Sequence, residues 1–237
     1  MPLPDFKYEK VCWNKDYKFV AGVDDVGRGC FAGPVVAGAV IFDKSLSFGG
    51  LPLGSPKAFP PANKLGAPSL GPPASRHPLI INDSKKLSQK QRKVADKWIR
   101  KNALSFGIGS ASVSQINKLG IKKATEIAFR KAISQVHPDY LLIDAFYIPY
   151  VRGLRRRNQK AIVKGDCLSF SIAAASIIAK VYRDRLMTDL YKKREYKKYK
   201  WNKNKGDGTK EHQKMIRKYG TTKLHRIQFV NTWRGKD

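Results

Sequence analysis

Acidic residues are scarce in this chain: 18 Asp and Glu stand against 47 Lys and Arg, a net charge of +29 over 237 residues. Such an excess bears on partners rather than fold, and it selects a polyanion. Nucleic acid is the first candidate and an anionic membrane surface the second. Long apolar runs are missing too. The longest, Leu168 to Ala179, falls well short of the roughly 20 residues of a membrane span. Cysteine is limited to Cys12, Cys30 and Cys167, an odd number, far apart and without CxxC spacing. That excludes a disulfide framework, argues against a zinc site and fits a reducing cytoplasm, with the thiols as small core fillers. The opening MPLPDFKYEK has acidic residues and no apolar centre, so no secretory signal is expected there. Neither a Walker A sequence nor an internal repeat is found.

What is present suffices for an ordinary globular core: 42% of residues are apolar and 11% aromatic. Residues 18–24 and 34–42 read as strands joined by a glycine turn. Residues 45–78, thick with Pro, Gly and Ser, read as a flexible surface insertion. Asn82-Asp83-Ser84 offers N-cap chemistry for a helix over 85–102. A strand follows at 104–112 and a helix over 114–135, then strands at 140–144 and 161–164. The Ala- and Ile-rich helix from 169 to about 190 must lie against a sheet. Alternating strands and helices predict an α/β layer fold. The chain divides into an N-terminal segment, 1–17, a main α/β domain, 18–190, and a basic helical C-terminal region, 191–237. Between Tyr182 and Lys205, ten Lys or Arg outnumber three acids, with Tyr191, Tyr196, Tyr199 and Trp201 interleaved. That pattern suits a nucleic-acid backbone with some base stacking. His212 and His225 read as packing or surface histidines, and Ser169 and Ser171 have no nearby base that would make either a nucleophile.

Where acids are rare their positions inform. Asp24 and Asp25 end the first strand, Asp144 ends a later one, and Asp166 follows another. Ligand sites gather at strand ends on one edge of an open α/β sheet. Four carboxylates converging there repel one another unless a cation neutralises them, and oxygen-only donors select Mg²⁺ or Mn²⁺. With a polyanionic substrate the matching chemistry is two-metal phosphodiester cleavage. On spacing alone, ordinary loop aspartates remain an equal alternative. A competing motif, Gly27-Arg28-Gly29-Cys30-Phe31-Ala32, matches the GxGxxA of dinucleotide sites. That motif must open a helix, yet Pro34 to Ile41 reads as strand, and Asp24 and Asp25 would repel a pyrophosphate.

Several motifs, in order, resemble ribonuclease HII. They are Gly22-Val23-Asp24-Asp25-Val26-Gly27-Arg28-Gly29 with Phe31-Ala32-Gly33-Pro34-Val35-Val36, then NDSKKL at 82–87, LID at 142–144 and KGD at 164–166. SIAAASIIAKVYRD at 171–184, GDGT at 206–209 and HR at 225–226 complete the match, which leaves out only the insertion and the first dozen or so residues. The resemblance implies an RNase H-like mixed sheet flanked by helices, with a basic helical C-terminal extension. It implies hydrolysis of the RNA strand of RNA–DNA hybrids, including DNA with embedded ribonucleotides, to 3′-hydroxyl and 5′-phosphate ends. It assigns Asp24, Asp25, Asp144 and Asp166 to two divalent ions, Mg²⁺ or Mn²⁺, with Asp24 bridging them and Asp25 supporting the leaving-group metal. Gly27, Arg28 and Gly29 would read the ribose 2′-hydroxyl, and Lys85, Lys86, Lys180 and Arg183 would meet phosphates. A cytoplasmic monomer without membrane contact is the implied state.

Three departures stand out. Asp25 replaces the family's Glu, and a reach shorter by one methylene predicts a weakened second-metal position with more tolerance for Mn²⁺. Neighbouring strand carboxylates can share a site only where the strand breaks. Asp207 replaces the tyrosine associated with stacking at the RNA–DNA junction, which predicts poorer discrimination of single ribonucleotides. The 45–78 insertion lengthens a normally short connection. These departures leave two alternatives: an impaired homologue that binds hybrids, or a basic RNA-binding or ribosome-associated protein without a metal site.

Overall fold

Residues 3–47 and 80–235 are described by a computed structural model of the chain. The first two strands are β1, Val20–Val26, and β2, Val35–Ile41; β3, Ser105–Ala111, β4, Tyr140–Asp144, and β5, Gln159–Ile162, complete one sheet in the order β3-β2-β1-β4-β5. β1, β2 and β3 pair antiparallel, while β4 and β5 run parallel to β1. The sheet is therefore mixed, with β1 central. A 21-residue helix, α3 (Val113–Ile133), covers one face, where Ala21, Val23, Val35 and Ala37 meet Ala124, Ala128 and Phe129. The opposite face receives α4, Phe170–Tyr191, with α2, Gln89–Asn102, beside it around Phe42, Ile99 and Phe170. Helix and sheet approach closely because Gly22 has no side chain: a Cβ there would collide with the backbone of Ser171. Alternation along β1 thus puts Ala21 and Val23 on the α3 side and Gly22 and Asp24 on the α4 side.

Some elements differ from the sequence reading. α2 starts at Gln89, capped by a Ser88–Gln91 capping box, and Asn82 to Leu87 form turns before it. Ser88 outcompetes Ser84 because Gln91 sits three residues on and returns a bond to the cap backbone. β5 lies two residues earlier than expected, and Lys164, in a left-handed conformation at φ 57°, turns the chain into the short 3-10 segment Gly165–Cys167. α3 carries a kink at Gly120, whose φ of 79° no helix contains. Residues 48–79, which hold nearly all of the Pro/Gly/Ser-rich insertion, lie outside the described residues.

After α4 come α5, Trp201–Asn204, α6, Lys210–Tyr219, and α7, Ile227–Arg234. Here the stacking expectation fails. Tyr196, Tyr199 and Trp201 are buried and stack on each other with Ile216, Val230 and Met187. The periodicity of this stretch serves a small satellite core that fixes the C-terminal helices to α4. His212 and His225 lie inside it, fully buried, with their Nε2 atoms 3.2 Å apart. Among the described residues no helix is long and apolar enough to cross a membrane.

The N-terminal segment is docked through α1, Lys7–Trp13. Glu9 is buried, and its Oε1 accepts from Ser169 Oγ at 2.6 Å and from Ser171 N and Oγ at 2.9 and 2.5 Å. The two serines therefore tie α1 to the start of α4. Burial raises the Glu9 carboxyl above its ordinary 4.5, partly offset by those hydrogen bonds, and Oε2 has no partner. A carboxyl raised in the fold favours the folded state most below pH 4.5 and loses that contribution as pH rises through its folded value. Glu9→Gln keeps the Oε1 acceptor and removes the titration. The melting temperature of the variant relative to the parent should rise from pH 4.5 to 8, by about 2–4 °C for each 1 kcal/mol. A difference that stays constant across that range would contradict the assignment.

Candidate active site

Parallel pairing of β1 with β4 ends at Val23 and Ile143, so beyond Val23 the β4 side of β1 stands open. Asp24 and Asp25 lie there and Asp144 is the last residue of β4, with Asp166 delivered by the turn after β5. All four line one cleft of about 450 Å³ together with Gly27, Arg28, Gly29, Lys85, Lys180, Arg183 and Asp207. The open flank, rather than a strand break, brings Asp24 and Asp25 to one site, because β1 runs on to Val26 in register with β2.

Backbone N–H groups orient two of the carboxyls. Asp24, 6% exposed, accepts from the Asp25 backbone N–H at 2.7 Å and from Ser176, whose Oγ lies 3.0 Å from Ser84 Oγ. Asp144 Oδ1 accepts from Gly165 N at 2.8 Å, which joins β4 to the turn carrying Asp166. Asp25 Oδ1 lies 4.0 Å from Arg28 Nη1. Burial, then the Asp25 charge, holds the Asp24 carboxyl well above the usual range. Burial lifts Asp25 to about 7, with Arg28 pulling down and Asp144 pushing up. Asp166 is raised by burial, then by Asp83 and Asp144. Buried like charges in one cleft, with oxygen donors alone on the four aspartates, fit a hard divalent cation.

The other expected residues divide. Lys85 reaches the cleft because the turn before α2 carries it there, and Lys180 lines the cleft while its Nζ holds Asp184 at 2.9 Å. Lys86 does not line it; its Nζ lies 3.4 Å from Cys167 Sγ. Arg183 is corrected from phosphate contact to scaffold. It is 1% exposed, and its guanidinium donates to the carbonyls of Pro34, Ala32 and Lys205 at 2.9–3.0 Å. Arg226 does the same for Gly33 and Arg28, at 2.8–2.9 Å. These two buried cations shape the 27–34 loop. Gly27 is required in it, since its φ is 88° and a Cβ would strike the Arg183 guanidinium. Asp207 Oδ1 accepts the Cys30 thiol at 2.6 Å, burial having pushed that thiol up to about 11, and its carbonyl lies 2.8 Å from His212 Nδ1.

Sequence reasoning missed Asp83, which forms with Asp166 and Cys167 a group whose ligand atoms lie within 4.8 Å of one another. It had been read as a helix cap. The scaffold role of Arg226 was also missed, although the residue sits in the matched HR motif at 225–226, because nothing local marks a buried guanidinium.

Comparison with known proteins shows the family and the fold. The family model described as Ribonuclease HII matches residues 77–232. A ribonuclease HII of Wolbachia pipientis from Culex pipiens is 42% identical over 233 residues, covering 97% of this chain and 98% of its own. The ribonuclease HII of Archaeoglobus fulgidus, solved in complex with PCNA, superposes with a TM-score of 0.61 at 21% identity, over 89% of this chain and 94% of that one. Bst-RNase HIII, solved with Mn²⁺, gives a TM-score of 0.58 at 17% identity over 93% and 70%. With 42% identity over nearly the full chain and a family model that matches residues 77–232, this protein belongs to the ribonuclease HII family.

Proposed function

We propose that the chain is a divalent-metal-dependent endoribonuclease that hydrolyses the RNA strand of RNA–DNA hybrids to 3′-hydroxyl and 5′-phosphate ends. The observation that carries this reading is the convergence of Asp24, Asp25, Asp144 and Asp166 in one cleft of a strongly basic protein. Those four residues would hold Mg²⁺ or Mn²⁺, which when bound activates water and stabilises a departing oxygen. The remaining groups bind and orient. Gly27 and Gly29 let the loop backbone approach a ribose closely enough to sense its 2′-hydroxyl, and Arg183 and Arg226 hold that loop in shape from below. Lys85, Lys180 and Arg28 neutralise phosphate at the cleft, while Lys86, exposed just beside it, adds to the field. Asp25 acts at shorter range than a glutamate would, beside Arg28, which favours the larger Mn²⁺. A monomer working in the cytoplasm completes the reading, with a catalytic unit over 18–190 and a gripping region over 191–237.

The test is a labelled hybrid and a duplex with one ribonucleotide, each incubated with Mg²⁺, Mn²⁺ or a chelator. Cleavage with either ion and none with the chelator is expected. Asp144→Asn should lose at least ~10³-fold in kcat with hybrid affinity within about threefold of the parent. Hybrid binding without turnover by the unmodified chain would identify an impaired binding homologue, and an Asp144→Asn variant as fast as the parent would remove the carboxylate site from the mechanism.

A further inference from the structure

A second cavity, of about 490 Å³, lies between α2 and α4, one turn along α4 from the carboxylate cleft. The link is α4 itself. Lys180 lines the cleft, and its Nζ pairs with Asp184, which lines the groove. Lys205, whose carbonyl is held by Arg183, reaches the groove at mid-length, with its Nζ 2.8 Å from Thr188 Oγ1. The groove residues of α4, Val181, Asp184, Arg185, Thr188 and Lys192, recur at helical spacing and define a face about 16 Å long.

Charge in this groove is one-sided. Arg92, Lys93, Arg185 and Lys192 form its walls, with Lys180 at the cleft end and Lys205 beside Thr188. Against the four lining cations stand two lining carboxylates, Asp184 and Asp189. Asp184 is shared by Lys180 at 2.9 Å and Arg92 at 3.8 Å, and Asp189 by Lys192 at 2.7 Å and Arg185 at 3.9 Å. The crowding also marks Lys205, whose ammonium is pushed below its ordinary value by burial; Asp184 opposes this, and Lys180, Arg92 and Lys93 add to it. The lining alone carries a surplus of two positive charges, raised to four by Lys180 and Lys205 beside it, along a face of ~16 Å over which one nucleic-acid strand presents about five phosphates. With Val181 alone contributing a large apolar side chain, the walls offer little to a lipid tail or an amphipathic helix.

We infer that the α2–α4 groove is a second phosphate-binding track, which takes the sugar–phosphate backbone of the duplex flanking the cleavage site. This rests on the proposed hybrid-cleaving function and extends it to substrate outside the carboxylate cleft. The track gives affinity and positions long duplexes without touching the scissile bond, so its loss raises KM and spares kcat.

The test neutralises exposed groove cations together, as Lys93→Gln/Arg185→Gln/Lys192→Gln, and compares a hybrid of about 30 base pairs with one too short to leave the cleft. Each phosphate contact contributes about 0.9 to the slope of log affinity against log salt. On the long hybrid KM should rise about tenfold near physiological salt, the salt slope should fall by 2–3, and kcat should stay within twofold. On the short hybrid the variant should match the parent. Equal losses at both lengths, or none at either, would overturn the track. Binding of the same two duplexes in chelator gives the length dependence independently of turnover. If the parent fails to cleave, the function reading falls while the track is still decided.

Discussion

Asp24→Asn will yield a protein that is more stable than its parent in chelator and at least ~10³-fold slower in metal-dependent cleavage. The stability follows from where Asp24 sits. It is almost wholly buried at the sheet edge, with Asp25 and Asp144 adding like charge, so burial and repulsion both oppose its ionised form. Asparagine keeps an oxygen to accept the Asp25 N–H and can still bond Ser176, so the hydrogen bonding survives while the charge goes. Relief of an uncompensated buried charge amounts to about 1–3 kcal/mol, or very roughly 2–10 °C in this size class. The activity loss has the same origin, because the charge that burdens the apo fold is the one that holds the cation. Melting curves with and without Mn²⁺ separate the two effects. The parent should gain stability on adding the ion, as ligand linkage requires, and Asp24→Asn should gain little. A variant that melts below its parent in chelator, or that responds equally to Mn²⁺, would show that Asp24 is a structural residue.

The acidic edge of the cleft was legible because an acid at a strand end contradicts the composition of the chain around it. Asp24, Asp144 and Asp166 could be picked out on that ground, and the glycine-rich loop by its two close glycines. What could not be read was how buried cations are used. Arg183 sits among lysines in a sequence dense with positive charge, and nothing local distinguishes a guanidinium donating to three carbonyls from one awaiting phosphate. The aromatics at 196–201 raise the same problem. A Tyr-Trp stripe amid lysines has one composition whether it stacks on bases or, as here, on itself. The start of α2 was ambiguous because two serines four residues apart both offer caps, and only the reciprocal bond from Gln91 decides. That choice matters to function, since leaving 82–87 as turns places Lys85 in the cleft and Asp83 beside Asp166.

Asp207→Tyr should raise kcat/KM on a duplex with a single embedded ribonucleotide by about 5- to 100-fold relative to its effect on a long hybrid. The carboxylate projects into the substrate cleft, where it repels phosphate, and it is held in place by the Cys30 thiol. The backbone around it is independently fixed: His212 pins its carbonyl, and Gly206 O accepts from Phe31 and Ala32 N–H at 2.8 and 3.1 Å. A new side chain at 207 therefore emerges from a loop already docked on Phe31 and Ala32. Base–aromatic stacking contributes about 1–3 kcal/mol per base, whereas one exposed charge about 4 Å from a phosphate costs about 1 kcal/mol in water. Stacking should dominate, and Asp207→Asn isolates the smaller effect by removing the charge without supplying a ring. That variant should improve both substrates alike, by no more than about fivefold, and should weaken the salt dependence. The tyrosine variant alone should shift the ratio between substrates, because a long RNA tract offers cleavage positions throughout, whereas a single ribonucleotide must be placed in one register. If Asp207→Asn reproduces the whole change in ratio, electrostatic repulsion governs junction recognition in this protein. If neither variant alters the ratio, recognition resides in the Gly27–Arg28–Gly29 loop, and the residue at 207 is only a tether for Cys30.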